Sequence, residues 1–345
     1  MLTIDGSFGE GGGQILRTSL SLAALTGKDV TIENVRAGRE KPGLRPQHLT
    51  GALAVAEICG AEIQGAEVGS TRLIFKPHAI RPGNYEFDVS KIRASAGSVN
   101  LILQTVLWPL AFAGKTSRLV IKGGTHVPHA PTFNYIDEIF LPTVARMGLI
   151  CHYRMERAGY YPIGGGEVRV DVQPVQALKP LTLVERSKSM SVELTSVVSN
   201  LPEHIAERQL NTGISRLKSL GLQPTGETTE YPSPGKGTVF FVLASFGDAR
   251  AGFQSLGELR KPAEAVADDA CKEFAAYRKS GMALDKHLAD QLIIPIALAD
   301  GLSKLTTCEI TQHLVTNIAV VERFLDARFE VTGEIGQAGT VERVA

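Results

Sequence analysis

The chain has no C-x-x-C pair. Its four cysteines, Cys59, Cys151, Cys271 and Cys308, are far apart, which argues against a disulfide framework or a zinc ribbon and fits a reducing compartment. It has no excess of charge either, with 36 Lys and Arg against 36 Asp and Glu. Any contact with nucleic acid must therefore use a local basic patch rather than the field of the whole molecule. Long hydrophobic runs are absent too: the longest, Leu101 to Ala113, carries Gln104 and Pro109 and reads as a buried helix, not a membrane span. The first residues, Met1 to Gly6, lack a basic n-region and an apolar h-region, so no secretory signal is expected and the expected location is the cytoplasm.

What is present is an ordinary globular composition, 345 residues that are 43% apolar with 35 glycines, long enough for about two domains. The apolar periodicity and the turn residues give the order β-α-β-α-β-β over about 1–80 and again over about 83–175. A third copy begins near 180–185 and resumes over 280–345, and the echo between Pro109-Leu-Ala-Phe-Ala-Gly-Lys115 and Pro295-Ile-Ala-Leu-Ala-Asp-Gly301 supports the repeat. Units of this length suggest packed α/β modules rather than a solenoid. The expected fold is thus α/β (α+β), with three repeated units forming a large domain (1–185 and 280–345). A smaller α/β domain is inserted at 186–279, with strands at Ser191–Val197 and Thr238–Ala244 and helices near 203–220 and 263–278.

Three stretches carry chemistry. Gly9-Glu10-Gly-Gly-Gly13 leads into a helix, so its backbone N–H groups suit an anion as well as they suit a tight turn. It is not a P-loop, since no Gly-Lys-Ser/Thr follows, and it fails the dinucleotide fingerprint. A carboxylate beside such a nest makes sense where a divalent metal bridges it to phosphate, which marks Glu10. Arg36 to His48 is the densest basic cluster, and the fork of a guanidinium matches phosphate oxygens. A triphosphate, a nucleic-acid end or plain solvent all fit it, and Arg17, one turn into the first helix, can point the same way.

The third stretch is His313-Leu-Val-Thr-Asn-Ile-Ala-Val-Val-Glu-Arg-Phe-Leu325. Its apolar spacing predicts a helix capped by Thr316 or Asn317, with His313 just ahead of it, where free N–H groups favour phosphate. Elsewhere, His287, Asp290 and Gln291 share one helix face, read by default as a solvent face. Gln104 is a buried amide in need of a partner, and a ligand is one candidate. His126-Val-Pro-His129 is a poor zinc motif, because its prolines oppose a helix and no third ligand is at a recognisable spacing.

Together these residues resemble the RNA 3′-terminal phosphate cyclase family. The resemblance runs through Glu10-Gly-Gly-Gly-Gln-Ile-Leu-Arg17, Arg36-Ala-Gly-Arg39, Lys41-Pro-Gly and Gln47-His-Leu-Thr50. It continues through Ser95-Ala-Gly-Ser, Leu-Gln104-Thr, Gly123-Gly-Thr, Ala130-Pro131, Tyr161-Pro, Gly164-Gly-Gly, Asp290-Gln-Leu and the stretch from His313 to Phe324. It implies three units like the C-terminal domain of a bacterial translation initiation factor, and an insert of thioredoxin-like elements. It also implies an ATP-dependent conversion of an RNA 3′-phosphate into a 2′,3′-cyclic phosphodiester, releasing AMP and pyrophosphate, with His313 carrying AMP.

By the same resemblance, Gln104, Pro131 and His287-Leu288-Ala289-Asp290-Gln291 face ATP. Arg17, Arg36, Arg39 and Gln47 hold the phosphates or the RNA end, and Glu10 holds Mg or Mn. Some members carry tyrosine where this chain has His287, which bears on stacking against adenine. The implied partners are ATP and RNA with a 3′-phosphate, with no membrane and no obligate protein partner. Two other readings stand beside this one. One is a cyclase-like ribosome-assembly factor, which lacks the nucleophilic histidine; the other is an enolpyruvyl transferase, in which ATP has no role.

Overall fold

The computed structural model describes residues 1–92 and 95–345. Strand β1 (Leu2–Asp5) leads through the glycine loop to α1 (Gly13–Thr26). Then come β2 (Val30–Glu33), α2 (Pro46–Cys59), β3 (Glu62–Gln64) and β4 (Leu73–Lys76). The four strands form one sheet in the order β1-β2-β4-β3, with β1 and β2 parallel and the other neighbours antiparallel.

The pattern recurs. β5 (Asn84–Asp88), α3 (Val99–Ala111), β6 (Ser117–Gly123), α4 (133–145), β7 (Cys151–Arg157) and β8 (Gly166–Val172) give a second sheet, ordered β5-β6-β8-β7 with only β5 and β6 parallel.

β9 (Thr182–Leu183) belongs to a third sheet. Between it and its partners stand β10 (Ser191–Ser199), α5 (Glu203–Ser219), β11 (Thr225–Glu230), β12 (Gly237–Phe246), β13 (Ala249–Leu256) and α6 (Ala263–Ser280). These strands make a sheet of their own, β11-β10-β12-β13. The third sheet is completed by β14 (Lys304–Thr307), β15 (Phe329–Thr332) and β16 (Gly339–Arg343), in the order β9-β14-β16-β15, again with a single parallel pair at one edge. Helices α7 (Lys286–Gln291), α8 (Ile293–Leu298) and α9 (Gln312–Phe324) accompany it. The chain is therefore a mixed α/β protein of small mixed sheets.

Some elements depart from the sequence reading. The helix expected over 284–298 is two, broken at Leu292, because Pro295 has no N–H and its ring crowds the carbonyl of Gln291. β11 and β13 were not expected. Thr-Gly-Glu-Thr-Thr-Glu is polar throughout and lies at a sheet edge, and β13 contains two alanines and Gly252, so neither shows an apolar alternation.

β13 touches α4 closely: a Cβ on Gly252 would stand 2.7 Å from Ile139 and 3.0 Å from Tyr135. One continuous apolar core runs from Ile4 through Tyr135, Phe253 and Phe274 to Val341. No described helix is long and apolar enough to cross a membrane.

The candidate active site

α9 begins earlier than its sequence suggests. Its N-cap is Thr311, whose hydroxyl accepts from the Leu314 N–H at 3.0 Å, so His313 lies inside the first turn rather than ahead of the helix. Thr316 and Asn317 are spent otherwise. The Thr316 hydroxyl donates to the Gln312 carbonyl at 2.7 Å and accepts from the Glu10 N–H at 3.4 Å. Asn317 is buried; it accepts from the Thr18 hydroxyl and donates to the Asp290 carbonyl, both at 2.7 Å. Asn317 thereby clamps α1 and α7 onto the helix that carries His313. The Gln312 and His313 N–H groups at the start of the helix still lack intrahelical partners, so the preference for an anion there persists.

The glycine loop lies against this turn. Gly9 and Gly11 both have φ of +58°, and a Cβ on Gly9 would collide with the Thr316 hydroxyl. Gly11 packs on Gly38, accepting its N–H at 3.1 Å, which ties the loop to the arginine cluster. Glycine is required here because the backbone is left-handed and the approach is close.

Glu10 thus arrives between Arg39, with which it forms an ion pair, and His313, whose Nδ1 stands 2.7 Å from Glu10 Oε2. The same Nδ1 lies 2.8 Å from Gln14 Oε1. A neutral imidazole has one proton for these two acceptors. The Gln14 contact has hydrogen-bond geometry, whereas Glu10 Oε2 is buried with no hydrogen-bond partner. With Nδ1–H facing these oxygens, Nε2 keeps its lone pair. Burial holds the His313 pKa below the ordinary histidine value, opposed by Asp290 and reinforced by Arg17 and Arg39. The neutral form, the nucleophilic one, is therefore favoured.

Burial pushes the Asp290 carboxyl up to about 6, against the pull of His313, His287 and Arg17. It also brings Arg17 down to about 10, with Asp290 opposing. The solvent-face reading of α7 is overturned for two of its three residues: Asp290 is 9% exposed and Gln291 half-buried, and only His287 faces out. Gln291 is held at both ends of its amide. Its Oε1 accepts from Gln104 Nε2 at 2.7 Å, and its Nε2 donates to the His287 carbonyl at 2.8 Å. Leu288 and Ala289 are wholly buried. Pro131 is positioned from α3, its carbonyl accepting from Asn100 Nδ2 at 2.8 Å.

The arginine loop is less free than its composition suggests. Arg36 has φ of 57°, and its Nη1 donates to the Lys41 and Gly43 carbonyls, both at 2.9 Å. One edge of that guanidinium therefore shapes its own loop. Gln47 Oε1 accepts from the Ser98 N–H at 3.0 Å, leaving its amide NH₂ for other partners.

Two residues were missed in the sequence. Gln14 lies next to the glycine loop, yet nothing local pairs it with a histidine near the other end of the chain. His48 is buried below Gly13 and Arg17. Burial first, then Arg36, Arg17, Arg45 and Arg39, push its pKa well down. His126 is not in a metal site: it is buried, with Thr125 Oγ1 at 2.7 Å and Asn134 Oδ1 at 3.2 Å, and it stacks on Tyr160. The four cysteines are free thiols.

Glu10 Oε2 is the donor type a divalent cation takes: magnesium commonly takes one or two carboxylates and fills its shell with water and phosphate oxygens, and this oxygen is buried without a hydrogen bond, beside His313 Nδ1 at 2.7 Å. A cage built from protein alone has no counterpart, since no group of three or more His, Cys, Asp or Glu gathers among the described residues.

Comparison with known proteins agrees over almost the full length. The family model described as RNA 3′-terminal phosphate cyclase matches residues 8–331. The curated protein named RNA 3′-terminal phosphate cyclase in Methylococcus capsulatus is 46% identical over 344 residues, covering 99% of this chain and 95% of that one. Proteins of the same name in Trichormus variabilis and Pyrobaculum neutrophilum are 43% and 42% identical, with 94% and 95% of this chain and 94% of each of theirs covered. The chain belongs to the RNA 3′-terminal phosphate cyclase family.

Proposed function

We propose that the chain uses ATP to convert an RNA 3′-terminal phosphate into a 2′,3′-cyclic phosphodiester, through AMP carried on His313. The observation that supports this most is the state of His313: Nδ1 is tethered to Gln14 with Glu10 beside it, Nε2 keeps its lone pair, and Arg17 and Arg39 stand close by.

In the first step Nε2 attacks the α-phosphorus of ATP, the bond to the β-phosphate oxygen breaks, and pyrophosphate leaves. An oxygen of the RNA 3′-phosphate then attacks the phosphorus of the bound AMP, and the P–N bond breaks to return the neutral imidazole. The terminal 2′-oxygen finally attacks the 3′-phosphorus, its proton passing to water, and AMP leaves. A covalent histidine divides one difficult substitution into easier ones. The last step is intramolecular, so holding the ribose and phosphate in place supplies much of its rate.

The residues divide the work. Arg17, Arg39 and the free edge of Arg36 meet charge on phosphoryl oxygens, with the Gln47 amide as a further donor. Glu10 holds Mg or Mn, which when bound neutralises charge on those oxygens. Gln104, Pro131 and the segment from His287 to Gln291 receive the adenosine, with His287 offering a ring to the adenine. A fold kept only for binding has no use for a histidine held in this way.

The test is an RNA ending in a 3′-phosphate, incubated with the protein, magnesium and ATP, then treated with phosphatase. The end is expected to become resistant only when ATP is present. Resistance without ATP, or continued sensitivity with it, counts against the proposal.

A further inference from the structure

Beyond the catalytic group, the described residues include an open crevice of about 650 Å³ between the turn after Tyr160 and the turn ending at Lys236. This volume lies within the range of small-molecule pockets. Tyr161 is 71% exposed and Ile163 60% exposed at its mouth. The neighbouring Tyr160 differs: it is buried and stacked on His126. Among the described residues Lys236 is the one charged residue lining the crevice, and no carboxylate among them lines it.

The walls are preformed. Asn200 Nδ2 donates to the Ser233 and Gly235 carbonyls at 2.7 and 2.8 Å, and Gly164 N–H donates to the Tyr160 carbonyl at 2.7 Å. A Cβ on Gly165, whose φ is +72°, would stand 2.7 Å from Pro234. The two turns thus meet over glycine.

A relay of contacts joins the rim of the crevice to Gln47. Gly164 lies against Ser95 and Ala96, and Gly97 lies against Gln47, whose Oε1 takes the Ser98 N–H. A strand of RNA whose terminal phosphate is near Gln47 can follow these contacts to the crevice. The crevice offers an exposed aromatic ring, an apolar edge and a cation. That set suits single-stranded nucleic acid, where a base stacks on the ring and a phosphate meets the charge.

We infer that this crevice is a second contact for the RNA substrate, taking a nucleotide upstream of the 3′ end, with Tyr161 as the stacking platform and Lys236 as the phosphate contact. The inference rests on the proposed function for the identity of the strand. Stacking tolerates any base, so the contact extends the grip on the strand without reading its sequence.

Fluorescence anisotropy of a labelled ten-nucleotide RNA with a 3′-phosphate tests it, beside a two-nucleotide RNA with the same end used as a competitor. Tyr161→Ala and Lys236→Ala are each expected to weaken binding of the long RNA about tenfold and to leave the short one within twofold. Tyr161→Phe, which keeps the ring, is expected to bind as the wild type does. Equal affinity of wild type and Tyr161→Ala for the long RNA, or equal losses on both RNAs, would overturn the inference. Labelling of His313 by ATP needs no RNA and is measured in parallel. If the wild type labels while the RNA affinities do not move, this site fails and the proposed function stands. If the wild type does not label, the proposed function itself fails.

Discussion

Gln14 Oε1 stands 2.8 Å from His313 Nδ1, across 299 positions of the chain. The imidazole is thereby fixed in rotation, with Nε2 directed away from its support. Gln14→Leu removes that acceptor at similar volume. The loss of one neutral hydrogen bond is worth about 1 kcal/mol, so we predict a roughly fivefold to tenfold slower transfer of AMP to His313 with little change in the KM for ATP. Single-turnover labelling checks this; a rise in KM at unchanged rate would assign Gln14 to substrate binding instead.

Glu10 Oε2 is buried and without a hydrogen-bond partner. Glu10→Gln keeps the shape and removes the charge. We expect the magnesium concentration giving half-maximal labelling of His313 to rise at least tenfold. A metal titration that overlays the wild type would remove Glu10 from the role of ligand and leave it only as the partner of Arg39.

Gln104 and Gln291 share a 2.7 Å hydrogen bond between helices 187 positions apart. If they form one wall of the adenosine pocket, Gln104→Leu raises the KM for ATP by about tenfold and spares kcat, the signature of binding lost equally in ground and transition states. Loss of kcat at constant KM would place the residue elsewhere in the mechanism.

His126 gives a stability prediction with a definite sign. Its pKa is lowered to about 4 by burial, so between about 6.5 and about 4 the unfolded chain binds a proton that the folded chain does not. Its contribution is complete above pH 6.5 and is lost as pH falls through that window, amounting to about 3 kcal/mol. Asp290 acts in the opposite sense, because its raised value lets the folded state take up a proton first. Urea denaturation of the wild type and of His126→Gln from pH 7 to pH 4.5 separates the two. The wild type is expected to lose stability more steeply with acid, and parallel curves would contradict the assignment.

The fold was legible wherever local pattern decides it. The glycine loop, α1 ending at Gly27 and the strands of the first two sheets are short-range consequences of turn residues and apolar spacing. What stayed hidden is long-range or lacks a pattern. Asp290 is of a residue type usual at the surface, yet it is buried, with Asn317 on α9 taking its backbone carbonyl. Arg36 reads as a free cation, yet its own loop takes one edge. The start of α9 was misplaced because Thr311, Thr316 and Asn317 are all competent caps. Contact with Glu10 and with α7 decides between them.

The central claim is that His313 is the nucleophile. Incubating the wild-type protein with α-labelled ATP and magnesium, denaturing it and mapping the peptides tests this directly. The expected result is an acid-labile, alkali-stable label on the peptide containing His313, absent from His313→Ala. An unlabelled wild type, or a variant labelled as strongly as the wild type, would contradict it.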